Sequence, residues 1–157
     1  MSEIENRLRN LGIVLPIPSA PVANYVSFVR SGIMVYIAGQ TSVDEDGNMI
    51  TGRVGEGLDL EMGQKAARRC GIRLIAQMKA ACGGELSKVK RIVKLGGFVC
   101  AAPKNTGPII PQIINGCSDL MVDVFGDVGR HARFAVGSPS LPRDAAVEID
   151  AVVELRV

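Results

Sequence analysis

One arginine and one glutamate near the end of this chain form its best candidate pair for chemistry. They lie in the run His131-Ala-Arg133-Phe-Ala-Val-Gly-Ser-Pro-Ser-Leu-Pro-Arg-Asp-Ala-Ala-Val-Glu148-Ile, which reads as two strands joined by a proline-containing turn. Arginine offers a planar fork of donors that matches a carboxylate at two points. Glutamate can orient or deprotonate a water molecule. Together they point to a small anionic substrate and a hydrolytic step.

The neighbours refine this expectation without closing it. Ala132 and Phe134 to Val136 make the arginine's strand apolar. A charged head in such a strand is expected in a cleft or at a subunit boundary. Arg130 is a rival anion ligand, but it lies outside the apolar run and is expected in solvent. Glu148 alternates with Val147 and Ile149, so it shares a face with Asp150, Val152 and Glu154. Periodicity alone does not choose among those carboxylates. His131 is a general base by type. Tyr25 could offer its hydroxyl to a ligand or sit satisfied in a core. Asn115 could bind a ligand or face water.

Other chemistries lack their signatures. There is no phosphate-binding G-x-x-x-x-G-K-[ST] loop. The glycine patch from Gly52 to Gly57 has the wrong spacing for a dinucleotide site, and no nucleophile elbow occurs. The four cysteines, Cys70, Cys82, Cys100 and Cys117, form no C-x-x-C pair, and one histidine does not complete a usual zinc quartet. Buried free thiols are expected. Net charge is +2 with dispersed basic residues, and aromatics are 4% with no Trp. Nucleic acid is therefore disfavoured as a partner. The apolar runs fall far short of the ~18 residues of a membrane span, and no leader segment is apparent. A cytoplasmic protein without membrane contact is expected.

The elements that must position these residues follow from pattern. The chain has 157 residues, 47% of them hydrophobic, and a mean hydropathy of +0.23, which suits one globular domain. Ser2-Glu-Ile-Glu5 fits a capping box for a short helix carrying Leu8 and Leu11. Residues 12–23 read as a proline-punctuated lead-in. Asn24–Arg30 and Ile33–Ala38 read as two strands around a Ser31-Gly32 hairpin, the second covered on both faces. Residues 41–58 are loop-like. Residues 59–82 form the clearest helix, with Asp59 as cap and Gly83-Gly84 as stop. Val89–Ala102 reads as a long strand in which Gly96-Gly97 marks a bend, a bulge or a close approach. Residues 109–125 form a second main helix ended by Gly126. Strands near 132–137 and 146–156 finish the chain. The expected class is α+β: a mixed sheet with the two main helices packed on one face. The other face still carries Val and Ile side chains, so oligomerisation is expected.

Taken together, these residues resemble the Rid/YjgF family of reactive imine/enamine deaminases, also labelled L-PSP endoribonucleases. The resemblance is carried by Pro21-Val-Ala-Asn-Tyr25, Tyr36-Ile-Ala-Gly39-Gln40, Val89-Lys-Arg-Ile-Val-Lys, His131-Ala-Arg133, Leu141-Pro and Val147-Glu148-Ile. It spans residues 18–157 and leaves 1–17 as an N-terminal helical extension. It implies a chorismate-mutase-like α+β fold, a homotrimer and clefts between subunits. By the same resemblance, Arg133 grips a substrate carboxylate, Glu148 is the acid associated with water activation, and Tyr25, Gly39 and Asn115 line the cleft. The implied reaction is hydrolysis of 2-imino acids to 2-keto acids and ammonia, without metal or organic cofactor. A non-catalytic, ligand-binding regulatory trimer using the same cleft is the alternative. The chain departs from the family pattern at Ala135, where many members have Cys, and at Ala38, where many have Ser or Thr. With the N-terminal helix and the longer 41–58 loop, it resembles a divergent subgroup.

Overall fold

Local signals set the helices. A computed structural model describes residues 2–157. Helix α1 is Glu3–Asn10. Its capping box is complete: the Glu5 amide donates to Ser2 Oγ at 3.3 Å, and the Ser2 amide donates to Glu5 Oε2 at 3.0 Å. Helix α2 is Leu60–Ala81, capped by Asp59, whose carboxylate accepts from the Met62 amide at 2.8 Å. Helix α3 is Ile109–Phe125. Pro111 sits in its first turn, where a backbone donor is not needed. Gly126 ends it at φ +67°, a left-handed conformation that favours glycine.

The strands are β1 (Phe28–Ser31), β2 (Met34–Thr41), β3 (Val89–Cys100), β4 (Ala132–Ser138) and β5 (Val147–Leu155). They form one sheet in the order β1-β2-β5-β3-β4. All neighbours are antiparallel except β3 and β4, which run parallel and are joined through α3. The fold is the expected α+β class, with α2 and α3 against one face of a mixed sheet.

Three expectations need correction. The first strand starts at Phe28, not Asn24: its pairing with β2 runs from Phe28 to Ser31, and before it only the Ser27 carbonyl is met, by the Ala38 amide at 2.9 Å. The hairpin turn is Gly32-Ile33, one residue later than expected, with Gly32 at φ +62°. The second strand is not covered on both faces within one chain: Val35 and Ile37 are buried, but Tyr36 is 50% exposed. The Gly96-Gly97 pair is a close approach rather than a bulge. A Cβ at Gly97 would stand 2.8 Å from Ile114 of α3.

The core lies between the sheet and the two main helices. Leu74, Ile75 and Met78 of α2 and Ile113, Ile114, Leu120 and Met121 of α3 meet Ile92, Leu95, Ile149 and Val153 of the sheet. The helices touch almost backbone to backbone. A Cβ at Gly116 would lie 2.2 Å from the Gln64 carbonyl oxygen, and one at Gly71 would lie 3.0 Å from Cys117 Sγ. All four cysteines are free and buried, as expected. Burial pushes the Cys117 thiol up to about 12 and the Cys70 thiol well above its usual range. The opposite sheet face is bare in the single chain and presents Tyr36, Phe98, Phe134 and Val136 to solvent.

Because the Gly116 contact is with backbone, the seam has no flexible side chain to yield. Gly116→Ala is expected to lower the free energy of unfolding by about 1–3 kcal/mol. Urea denaturation followed by circular dichroism checks this. An unchanged midpoint would mean that the helices part freely at the seam.

Candidate functional site

Glu148 is placed by a defect in the sheet. Between Ile37 and Gln40 of β2 the register against β5 slips, so that one extra residue is accommodated at Ala38-Gly39. Such bulges re-aim side chains and end regular pairing. Here the bulge brings the bare Gly39 backbone against the Glu148 carboxyl. A Cβ at Gly39 would lie 2.4 Å from Glu148 Oε1, so any larger residue would displace that group.

Glu148 is half-buried. Desolvation holds its carboxyl above the usual carboxylate value, and the neighbouring Asp150 charge adds to the effect. The residue stands between two hollows. One, of about 420 Å³, is also lined by Ser19, Tyr25, Gly39, Thr41, Arg73 and Arg143. The other, of about 350 Å³, adds Phe98, Ser138, Leu141 and Asp150. Thus Tyr25, Gly39 and Glu148, three residues singled out from the sequence, line one cavity.

Arg133 is placed by α3. Its Nη1 donates to Ser118 Oγ at 2.9 Å and its Nη2 donates to the Pro111 carbonyl at 3.2 Å. Asn115 lies on the same helix, four residues after Pro111 and three before Ser118, so all three share a face. His131 completes the cluster. Its Nδ1 lies 2.7 Å from the Gly129 carbonyl and its Nε2 lies 2.9 Å from Ser118 Oγ. A carbonyl only accepts, so Nδ1 carries the proton and Nε2 accepts from the Ser118 hydroxyl. Burial pushes the imidazole below its usual pKa, and the Arg133 charge reinforces this, against the Gly129 bond. The result is a directed chain from Arg133 through Ser118 to a neutral His131. Of the five guanidinium N–H groups, three remain to meet an incoming carboxylate. Arg130 lies in solvent beside Asp127, as expected.

Within one chain these two groups do not meet. Strand β3 lies between β4 and β5, so the two strands joined by the proline-containing turn are not neighbours in the sheet. Arg133 pairs across β3 with Ala151, three residues from Glu148. Standard sheet spacings then separate their Cα atoms by about 14 Å. They also face opposite ways. Arg133 turns toward α3, whereas Glu148 turns away from the buried Val147 and Ile149. Each half-site holds only part of the chemistry.

Sequence reasoning missed Ser118, Arg73 and Arg143 as residues of these sites. Ser118 had one available signal, its three-residue spacing from Asn115. Arg143 had none. Among the described residues no cluster of three or more His, Cys, Asp or Glu side chains is arranged to hold a metal ion. Nor is any described helix long and apolar enough to cross a membrane.

Comparison with known proteins agrees with this architecture. A family model described as "YjgF/chorismate mutase-like, putative endoribonuclease" matches residues 5–155. Protein TCP17 of Trypanosoma cruzi is 48% identical over 149 residues, covering 94% of this chain and 91% of that protein. The crystal structure of Atu1372, a protein of unknown function from Agrobacterium tumefaciens, aligns with a TM-score of 0.89 at 45% identity, covering 98% of this chain and 92% of that one. A "putative endoribonuclease" from Shewanella oneidensis aligns with a TM-score of 0.90 at 30% identity, covering 98% of this chain and 100% of that one.

Two titrations test the half-sites. The Glu148 carboxyl lies above its ordinary value in the folded state. The stability this shift brings is full below the ordinary value of 4.5 and is lost as pH rises through the folded value. Glu148→Gln is therefore expected to raise the melting temperature at neutral pH, and a fall would show that the carboxylate is stabilising there. For His131 the sign is opposite. Its pKa is depressed, so its contribution holds above the ordinary value of 6.5 and is lost as pH falls through the folded value. This is the only histidine in the chain. Its ring signals in an NMR titration are expected to move at a pH below 6.5, and at a higher pH in Arg133→Ala. A midpoint above 6.5 in the parent protein would rule out the neutral relay.

Proposed function

The chain belongs to the YjgF family, and from that premise we propose that it hydrolyses reactive 2-imino acids to 2-keto acids and ammonia at a site shared between two subunits of a homotrimer. One observation carries this reading: Arg133 and Glu148 lie on opposite faces of the same sheet, so that no single chain brings the two together. A second copy docked on the bare sheet face would bring one chain's Glu148 to the partner's Arg133. The exposed Tyr36, Phe98, Phe134 and Val136 supply the apolar surface for that docking.

In this reading the three free N–H groups of Arg133 bind the substrate carboxylate, held in place through Ser118 and Pro111. The iminium carbon then faces a water beside Glu148. Water adds to that carbon as Glu148 takes its proton, and the C=N electron pair moves to nitrogen. The protonated Glu148 returns the proton to the amine, the C–N bond breaks, and as the C=O bond forms the hydroxyl proton passes by way of Glu148 to the departing ammonia, which leaves as ammonium. The net change is iminium acid plus water giving keto acid plus ammonium. A carboxyl held above its usual range suits both proton transfers near neutral pH. Such imines also hydrolyse unaided, so orientation and proton transfer suffice. Ala135 leaves no thiol for the cleft, and the mechanism needs none.

Ribonuclease chemistry, named for relatives, has less support in these residues. Metal-free RNA cleavage calls for a general acid and a general base. The one histidine here has both ring nitrogens engaged within the protein.

Arg133→Ala is expected to lower kcat/KM for 2-iminobutanoate hydrolysis on the order of 100-fold or more while the protein stays folded. Mixing tests the shared site directly. If each site draws Arg133 and Glu148 from different chains, dissociated and reassociated mixtures of inactive Arg133→Ala and Glu148→Gln proteins recover roughly a quarter of parental activity at equal proportions. No recovery would place both residues in one chain's site. Binding of 2-oxobutanoate without turnover would leave a ligand-binding protein instead.

A further inference from the structure

The cavity that holds Glu148 also holds two arginines that the hydrolysis does not use. Arg73 reaches in from α2. Its Nη1 donates to the Thr41 carbonyl at 2.8 Å and to Thr41 Oγ1 at 3.1 Å, and its Nη2 donates to Ser19 Oγ at 3.3 Å. Arg143 comes from the turn before β5. Among the described residues neither guanidinium has a carboxylate partner within salt-bridge distance.

The lining thus carries two guanidiniums against one carboxylate, Glu148, which neither meets at salt-bridge distance, and an excess of positive charge in one hollow is unfavourable. Arg143 helps to push Arg73 below its ordinary value, after burial, the larger cause. The turn that presents Arg143 is itself strained. Arg143 and Asp144 are both non-glycine residues at positive φ, 57° and 59°. Consecutive residues in that region persist only where surrounding structure holds them, and such strain collects at ligand sites. The hydroxyls of Ser19, Tyr25 and Thr41 in the same lining are suited to an oxyanion. Size agrees. At a water-like ~30 Å³ per heavy atom, a three-carbon imino acid of six heavy atoms needs about 180 Å³. The cavity measures about 420 Å³.

We propose that Arg143 and Arg73 bind a second carboxylate, carried on the substrate's side chain, so that the preferred substrates are 2-imino dicarboxylic acids. This deepens the hydrolytic reading and rests on it. The partner's Arg133 takes the carboxylate next to the imine, the iminium carbon sits at Glu148, and the side chain runs on into the cavity toward the two guanidiniums.

The test compares acidic and neutral ligands in the full-length protein. Calorimetry measures binding of 2-oxoglutarate and 2-oxobutanoate. Turnover is measured on the imino acids released in situ from glutamate and from 2-aminobutyrate by amino-acid oxidases. The parent protein is expected to favour the acidic member of each pair by about tenfold or more, as for one charge-assisted contact. Arg143→Gln is expected to bring both ratios to within about threefold of one, and Arg143→Glu to reverse them. Arg143 is exposed, so neither change should unfold the chain. A parental ratio near one, or a preference that survives both substitutions, overturns the proposal while leaving the hydrolytic reading intact. Absence of turnover on every imino acid overturns the hydrolytic reading. Tight 2-oxoglutarate binding that is lost in Arg143→Gln would then still assign the anion site to the arginine pair.

Discussion

Alternation of side chains across a β-sheet governs this molecule. Both main helices cover one face, so every second residue of a central strand is committed to the core, and its neighbours are committed to the other side. Arg133 falls on the helix side of β4, and Glu148 falls on the bare side of β5. No rotamer carries either across the sheet. Their separation follows from strand order together with the two-residue period. From it follows the division of the two residues between separate surfaces of the chain, on which the proposal of a shared site rests.

Each half-site is rigid for its own reason. On the helix side, rigidity comes from hydrogen bonds: Ser118 receives one from Arg133 and gives one to His131, so the guanidinium is held by a chain of neutral partners. On the other side it comes from geometry. The bulge in β2 lays a residue without a side chain against the Glu148 carboxyl, which is partly dehydrated and lies close to Asp150. The family resemblance carried Gly39 as a cleft-lining position. The physical need there is for the missing Cβ.

Most of the fold was legible in the sequence because its signals are local. The α3 boundaries follow from Pro108, Gly126 and the spacing of Ile110, Ile113, Ile114 and Cys117. The α2 boundaries follow from Asp59 and the Gly83-Gly84 pair. The first strand was misread at its start because Tyr25 and Val26 have strand-forming side chains, while pairing depends on a partner that sequence does not display. Strand order was hidden for the same reason. The last two strands are joined by a short proline turn, yet β3, far upstream, lies between them.

The candidate site was legible only in part. Arg133 and Glu148 stood out because each interrupts an apolar strand, and Tyr25 and Gly39 came through resemblance. Ser118 and Arg73 did not, since their roles depend on contacts between residues 15 to 54 positions apart, and neither did Arg143. Arg143 owes its place to backbone strain that no composition signals.

The thiols buried along the helix seam have a consequence of another kind. Cys117, pushed up to about 12, and Cys70, pushed higher than usual by the same dehydration, hold almost no thiolate near neutral pH. Alkylating reagents and oxidants reach them only when the seam opens. The chain thus carries an intrinsic clock for its own breathing: the rate at which these sulfurs become modified reports how often the two main helices come apart.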